Sequence, residues 1–245
     1  MKILVCITNV PDTTSKISFS DNKKKFNDAG VQFIIGPYDE YALSKAVDIK
    51  EKNNATIVVL NVGGPETEPT IRKALAIGAD EAIRVNAAPT DAWFVAKQIA
   101  AVAKDGGYDL ILMGRESIDF NGGVVHGMVA ELLGLPSVSP VMKLELDGNK
   151  ATIAKEIEGG KEWLEVSLPL VAGCQEPISE WKIPNMRGIM SARTKPLTVV
   201  EPVAVEGNIV YDQFTLPAPK GAVKLVDASD PAKLWELLKN EAKVL

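Results

Sequence analysis

Gly122-Gly123 stands directly before an apolar helical stretch, Val125, Met128, Val129, Leu132 and Leu133. Backbone N–H groups at such a position, together with the positive end of the helix, can hold a phosphate without any lysine. A second pair, Gly63-Gly64, follows the apolar run 55–60, and the first apolar run, 2–7, leads into Thr8-Asn9 just past Cys6. In an open parallel sheet, ligands lie outside the carboxyl ends of the strands, where the strand order reverses. Three small or polar tips, the third being 114–123, therefore describe a nucleotide site. One glycine pair alone more often serves only a tight turn; the coincidence of three carries the reading. The dinucleotide fingerprint is absent after the first strand, where Asn9-Val10-Pro11-Asp12 stands, and no Walker motif occurs, so a hydride-transfer dehydrogenase and a P-loop ATPase are disfavoured.

Catalytic constellations are thin. The sole histidine, His126, falls in the first turn of the helix after Gly123, and lone histidines more often pack or face solvent than react. Cys6 at the end of a buried run reads as a small hydrophobe. Glu116 and Asp119 are close enough for acid–base work, but nucleotide loops carry such residues for ribose hydrogen bonds equally well. No triad and no metal-ligand cluster is visible, so the site is built for binding and any redox chemistry must come from a cofactor.

The elements that position these tips follow from periodicity. Buried strand-like runs at 2–7, 55–60, 81–85 and 110–113 alternate with helical patterns from a Tyr38-Asp39 cap, from a Thr67 cap, from a Thr90 cap and from near Gly122. That alternation predicts an α/β, doubly wound, mostly parallel sheet of Rossmann-like type. After Gly134 the grammar changes to an antiparallel meander over 141–146, 151–157 and 163–166, followed by a last buried strand over 169–174. The expected organisation is a nucleotide-binding domain over 1–176 and an extended C-terminal arm over 177–245 with a short helix after Asp230-Pro231. The arm's Trp and Leu residues lack a core of their own, which points to a partner.

Composition narrows the class. Lys+Arg 27 against Asp+Glu 32 gives −5 with no basic stripe, which removes the electrostatic basis for gripping nucleic acid. Two distant cysteines without CxxC spacing fit a reducing compartment and exclude a zinc ribbon. No signal peptide and no apolar run near the roughly 18 residues of a membrane span is present, so the expectation is a cytoplasmic chain with no membrane insertion of its own.

At this point five ordered blocks resemble the beta (small) subunit of electron transfer flavoproteins over essentially the whole length. They are Val5-Cys6-Ile7 through Val10-Pro11-Asp12-Thr13, Gly36-Pro37-Tyr38-Asp39-Glu40-Tyr41-Ala42-Leu43, Ile71-Arg72-Lys73-Ala74-Leu75-Ala76-Ile77-Gly78-Ala79-Asp80, Gly114-Arg115-Glu116-Ser117-Ile118-Asp119, and Gly188-Ile189-Met190-Ser191-Ala192-Arg193. The resemblance implies an αβ heterodimer with one redox FAD held mainly by the large subunit. Electrons would enter from acyl-CoA or related dehydrogenases and leave to a quinone oxidoreductase or another acceptor, making this chain a carrier subunit and not an enzyme.

It further implies that this chain buries AMP, with a second FAD, as in electron-bifurcating members, as the alternative. Contacts carry over to Cys6, Gly36, Gly63, Gly122, Gly123, Val124 and Val125, and Tyr38 matches an aromatic that approaches the flavin. Asn9 and Asp119 join them from the strand tips. Family members often carry polar side chains where Gly123, Val124 and Val125 stand, so phosphate binding here rests on backbone N–H groups. The resemblance places partner docking on Met186, Arg187, Gly188, Ile189 and Met190, expected as an extended segment with Met186 as the apolar anchor. Three other readings compete. A stand-alone universal-stress-type module would need glycine where Ser117 stands, an enzyme acting on a nucleotide would need a reactive set that is absent, and a docking subunit would have a vestigial site.

Overall fold

The computed structural model describes residues 1–245. In chain order the strands are β1 (Lys2–Cys6), β2 (Asn9–Pro11), β3 (Phe19–Ser20), β4 (Lys25–Phe26), β5 (Phe33–Ile35), β6 (Thr56–Val62), β7 (Glu81–Val85), β8 (Leu110–Gly114), β9 (Ser137–Asp147), β10 (Lys150–Ile157), β11 (Gly160–Ser167), β12 (Leu170–Cys174) and β13 (Leu197–Val200). The helices are α1 (Pro37–Asn53), α2 (Glu68–Ile77), α3 (Ala92–Ala103), α4 (Val125–Leu133), α5 (Met186–Ala192) and α6 (Pro231–Glu236).

Because successive side chains of a strand point to opposite faces, a strand apolar at every position needs cover on both. Ile3, Val5, Ile57, Val59, Leu110 and Leu112 pack with Leu43, Ala46, Ile71 and Leu75 of α1 and α2. Leu4, Cys6, Val58, Leu60, Ile111 and Met113 pack with Ala96, Ile99, Val129 and Ala130 of α3 and α4. The result is the doubly wound α/β sheet expected, in the order β11-β10-β9-β12-β8-β1-β6-β7-β13. Strands from β12 to β13 in that order run parallel, and β9, β10 and β11 form the antiparallel meander. No helix is long and apolar enough to cross a membrane.

Several local expectations need correction. Gly36, not Tyr38-Asp39, is the N-cap of α1, with Pro37 at its first position, because the Asp39 carboxylate is drawn elsewhere. Asp91, not Thr90, caps α3, accepting from the Phe94 N–H at 2.7 Å. Thr67 does precede α2, but its hydroxyl donates back to the Gly64 carbonyl at 2.9 Å across a 3-10 turn and caps nothing. The chain after Cys174 is more ordered than its prolines suggest. Met186, Arg187, Gly188, Ile189 and Met190 are helical in α5, not extended, because the Asn185 side chain accepts from the Gly188 N–H at 2.8 Å and starts a helix. Leu197–Val200 then adds β13 to the sheet edge beside β7.

Two compact units divide the chain. The larger comprises Met1–Lys16 and Asp28–Asp212, so residues 177–212 belong with the sheet. The smaller comprises Ile17–Asn27 and Gln213–Leu245, in which Phe19 stacks on Phe214 at 5.3 Å and α6 keeps Trp235 exposed.

Candidate functional site

β8, β1 and β6 are adjacent and parallel, so their carboxyl ends form one edge. Asp39, in the first turn of α1, ties two of these tips together. Its Oδ2 accepts from the Thr8 N–H at 2.8 Å and the Thr8 hydroxyl at 2.6 Å, while Oδ1 accepts from the Gly114 N–H at 2.7 Å. The carboxyl is buried, and that burial, against the lowering pull of the Thr8 and Gly114 donors, lifts its pKa to about 6. The close fit explains two glycines: a Cβ on Gly36 would collide with Thr8 Oγ1 and Asp39 Oδ2, and one on Gly114 would lie 2.7 Å from Asp39 Oδ1 and from Tyr38 Cβ. Gly36 thus shapes the edge from within.

At the β6 tip, Asn61 is buried and donates through Nδ2 to the Ile7 carbonyl at 2.9 Å, but its Oδ1 has no partner. A Cβ on Gly63 would lie 2.7 Å from that oxygen. Beside it in register, the buried Arg84 donates to the Gly63 carbonyl at 3.0 Å and to Asn86 Oδ1 at 2.9 Å, and its Nε is also unpartnered. Buried polar groups are rarely left unpaired. An unpaired acceptor at a strand tip fits a ligand that brings a donor, such as an adenine amino group or a ribose hydroxyl.

The third tip is the segment 115–124. Asn121 and Gly123 take positive φ, 49° and 61°, which turns the chain into α4, whose first turn has no side-chain cap. The leading N–H groups of a helix without a cap are donors that an anion can use. Gly122, Gly123 and Val124 are exposed, whereas Val125 packs on the α4 face of the core. Helix α4 therefore starts at Val125, slightly later than its glycines suggested. Arg115 lies over the Tyr38 ring at 4.8 Å and donates to Gln175 Oε1 at 3.0 Å and Glu116 Oε1 at 2.9 Å. Glu116 is thus an ion-pair partner of Arg115, and Asp119 is exposed on the loop. His126 packs by Gly173, and burial pushes its imidazole pKa down.

Cys6 is buried among Leu4 and Val58, and burial, with the nearby Asp39 charge, drives its thiol far above the ordinary range, so it stays protonated and inert. Asn9 lies in β2 with Oδ1 accepting from the Thr70 hydroxyl at 2.6 Å, which fixes its side chain and leaves its amide donors for a ligand. The structure therefore gathers Gly36, Tyr38, Gly63 and the 122–125 loop at strand ends. The sequence assigned no site role to Asp39, Asn61, Arg84 or Arg115, although Asn61 and Arg115 lie at strand tips it marks. A polar residue inside an apolar strand was the available signal for Asn61 and Arg84.

A second feature lies on α5. Met186 and Met190 are 73% and 68% exposed, while Ala192 is buried. Arg72 Nη1 donates to the Ala192 and Lys195 carbonyls, both at 2.8 Å, and Lys195 Nζ donates to the Leu75 carbonyl at 2.8 Å. The helix is fixed at its base and bare on its outer side.

A model of the electron transfer flavoprotein domain matches residues 24–205. The electron transfer flavoprotein subunit beta of Syntrophomonas wolfei is 39% identical over 100% of this chain and 98% of its own length. The subunit beta of Bacillus subtilis is 35% identical over the full length of both chains. That of Thermoanaerobacterium thermosaccharolyticum is 33% identical over 94% of this chain and 88% of its own.

Proposed function

The chain belongs to the electron transfer flavoprotein family as a small, beta-type subunit, and from that premise we propose that it binds AMP and scaffolds a large subunit holding the redox FAD. Electrons pass from acyl-CoA or related dehydrogenases through that FAD to a quinone oxidoreductase or other acceptor, in the cytoplasm. FAD, when bound, supplies all of the redox chemistry; this chain's residues bind, orient and dock.

The observation that carries the nucleotide assignment is the buried, unpartnered Asn61 Oδ1 beside Gly63. It asks for a donor where the family resemblance expects adenosine. The N–H groups of Gly123, Val124 and Val125 would take the phosphate, and Tyr38, held under Arg115, would face the flavin side. Exposed Trp181, Ile183, Leu234 and Trp235 supply apolar surface for the large subunit, which supports an arm that packs on it.

Co-expression with the large subunit, followed by denaturation and mass spectrometry of the released ligands, tests the reading. One adenine mononucleotide and one FAD per heterodimer are expected. Two FAD would replace the AMP assignment with the bifurcating alternative, and no nucleotide beyond FAD would leave a vestigial site. Gly123→Pro should cut AMP occupancy severalfold while FAD is retained, because proline fixes φ near about −65° and removes a donor, where Gly123 sits at +61°. Unchanged occupancy would remove the loop from the site.

A further inference from the structure

A groove of about 550 Å3 lies between the C-terminal half of α1 and the meander, sharing no lining residue with the strand-tip site. That volume is in the range of small-molecule sites, roughly 300–1,000 Å3. Its floor is apolar, from Ile49, Leu144, Ala154 and Ile178, and its rim carries Lys45, Lys52, Lys143 and Lys161 with Asp48 and Glu145. Both carboxylates are already engaged. Asp48 accepts from the Ser179 hydroxyl at 2.6 Å and pairs with Lys182 at 2.9 Å, and Glu145 pairs with Lys143 at 2.8 Å.

The ammonium groups of Lys45, Lys52 and Lys161 make no direct hydrogen bond or salt bridge, in a chain whose net charge is −5, although Asp48 and Glu145 lie near enough for Lys45 to feel their charge. Lys45 is half-buried, and that burial pushes its ammonium pKa down. A partly desolvated cation held in no direct ion pair gains from an added anion, and the exposed Lys52 and Lys161 can turn toward the same anion. Trp163, 58% exposed as a residue, stands at the same groove with the Lys143 ammonium 5.5 Å from its ring centroid. An exposed indole offers a planar apolar surface that a flat ring can stack on. Three ammonium groups outside any direct ion pair favour a multiply charged group over a single carboxylate.

We propose that this groove binds a small phosphorylated aromatic ligand, its ring on Trp163 and its phosphate among Lys45, Lys52 and Lys161. Pyridoxal 5′-phosphate is a suitable probe of that chemistry. Its aldehyde condenses with a lysine amine to an imine with loss of water, and borohydride reduces the C=N bond to a stable amine that peptide mapping locates. On the intact heterodimer, labelling should saturate on Lys45, Lys52 or Lys161 at least tenfold faster than on other lysines. Pyridoxal, which lacks the phosphate, should label these positions at least tenfold less. ADP should protect them, and Trp163→Ala, at an exposed position, should weaken the labelling without loss of folded protein. Labelling spread over surface lysines according to exposure, without saturation, would overturn the proposal. So would groove lysines that stay unlabelled in the heterodimer, which would make the groove a subunit or protein interface.

Discussion

Asp39→Asn is expected to lower the melting temperature of the heterodimer by about 6 °C and to loosen the strand edge on which nucleotide binding depends. The carboxylate receives three donors, two of them backbone N–H groups, from Thr8 in the link after β1 and from Gly114 at the end of β8. An amide has one acceptor oxygen. Whichever way it turns, its NH2 faces either the Thr8 N–H or the Gly114 N–H, and only the Thr8 hydroxyl can rotate to adapt. A buried donor left without an acceptor costs about 1–3 kcal/mol, and where the NH2 faces Gly114 it adds a second unpaired donor. Taking about 3 kcal/mol in all, at the lower end of the roughly 2–4 °C per kcal/mol for a chain of this size, gives the shift stated. Calorimetry of wild type and variant decides it; a change within about 2 °C would show that Asp39 is not the clamp.

The same residue carries a pH dependence of definite sign. Burial lifts its folded-state pKa to about 6, above the ordinary carboxyl value near about 3.9. Between those values the folded chain holds a proton that the unfolded chain has released. Stability from this group is therefore fully present below about pH 4 and is lost as pH rises through about 6. The Thr8 hydroxyl can rotate to accept from the protonated carboxyl. Asp39→Asn should flatten that slope, and a slope unchanged in the variant would assign it to other groups.

The central sheet was legible because its strands are covered on both faces, and continuous apolar runs such as Leu4-Val5-Cys6 have few other uses. The strand tips were legible for the same reason: glycines and small polar residues interrupt those runs where α/β ligands sit. What escaped was whatever depends on a partner distant in sequence. Asp39 looked like a cap because an acidic residue early in a helix usually is one, and its true partners lie 31 and 75 residues away. β13 escaped because an edge strand is half-exposed and shows no continuous burial. Helix α5 escaped because Gly188 and the flanking prolines argue against helix; Asn185 supplies the cap, and Arg72 supplies the donor for the last carbonyls. The pairing of residues 17–27 with residues 213–245 in one unit has no local signature at all.

The double variant Met186→Ala with Met190→Ala is expected to raise the KM of the heterodimer as acceptor for a cognate dehydrogenase by tenfold or more. The two side chains are four residues apart and so share one face of α5, where they are 73% and 68% exposed. Methionine suits an anchor that must meet more than one partner, because its unbranched, polarisable chain adapts to different pockets. Truncating central apolar anchors typically costs about 2 kcal/mol or more in binding, which corresponds to roughly thirtyfold. Neither side chain enters the core, so FAD content and melting temperature should match wild type. Arg72→Gln separates docking from positioning. It leaves both methionines in place but removes the guanidinium that bridges two carbonyls at the base of α5, so KM should rise less than in the double variant while the α5 amides exchange hydrogen faster. If the methionine variant instead lowers heterodimer stability while dehydrogenase turnover per bound FAD stays normal, the exposed face of α5 is covered by the large subunit. The docking assignment then fails.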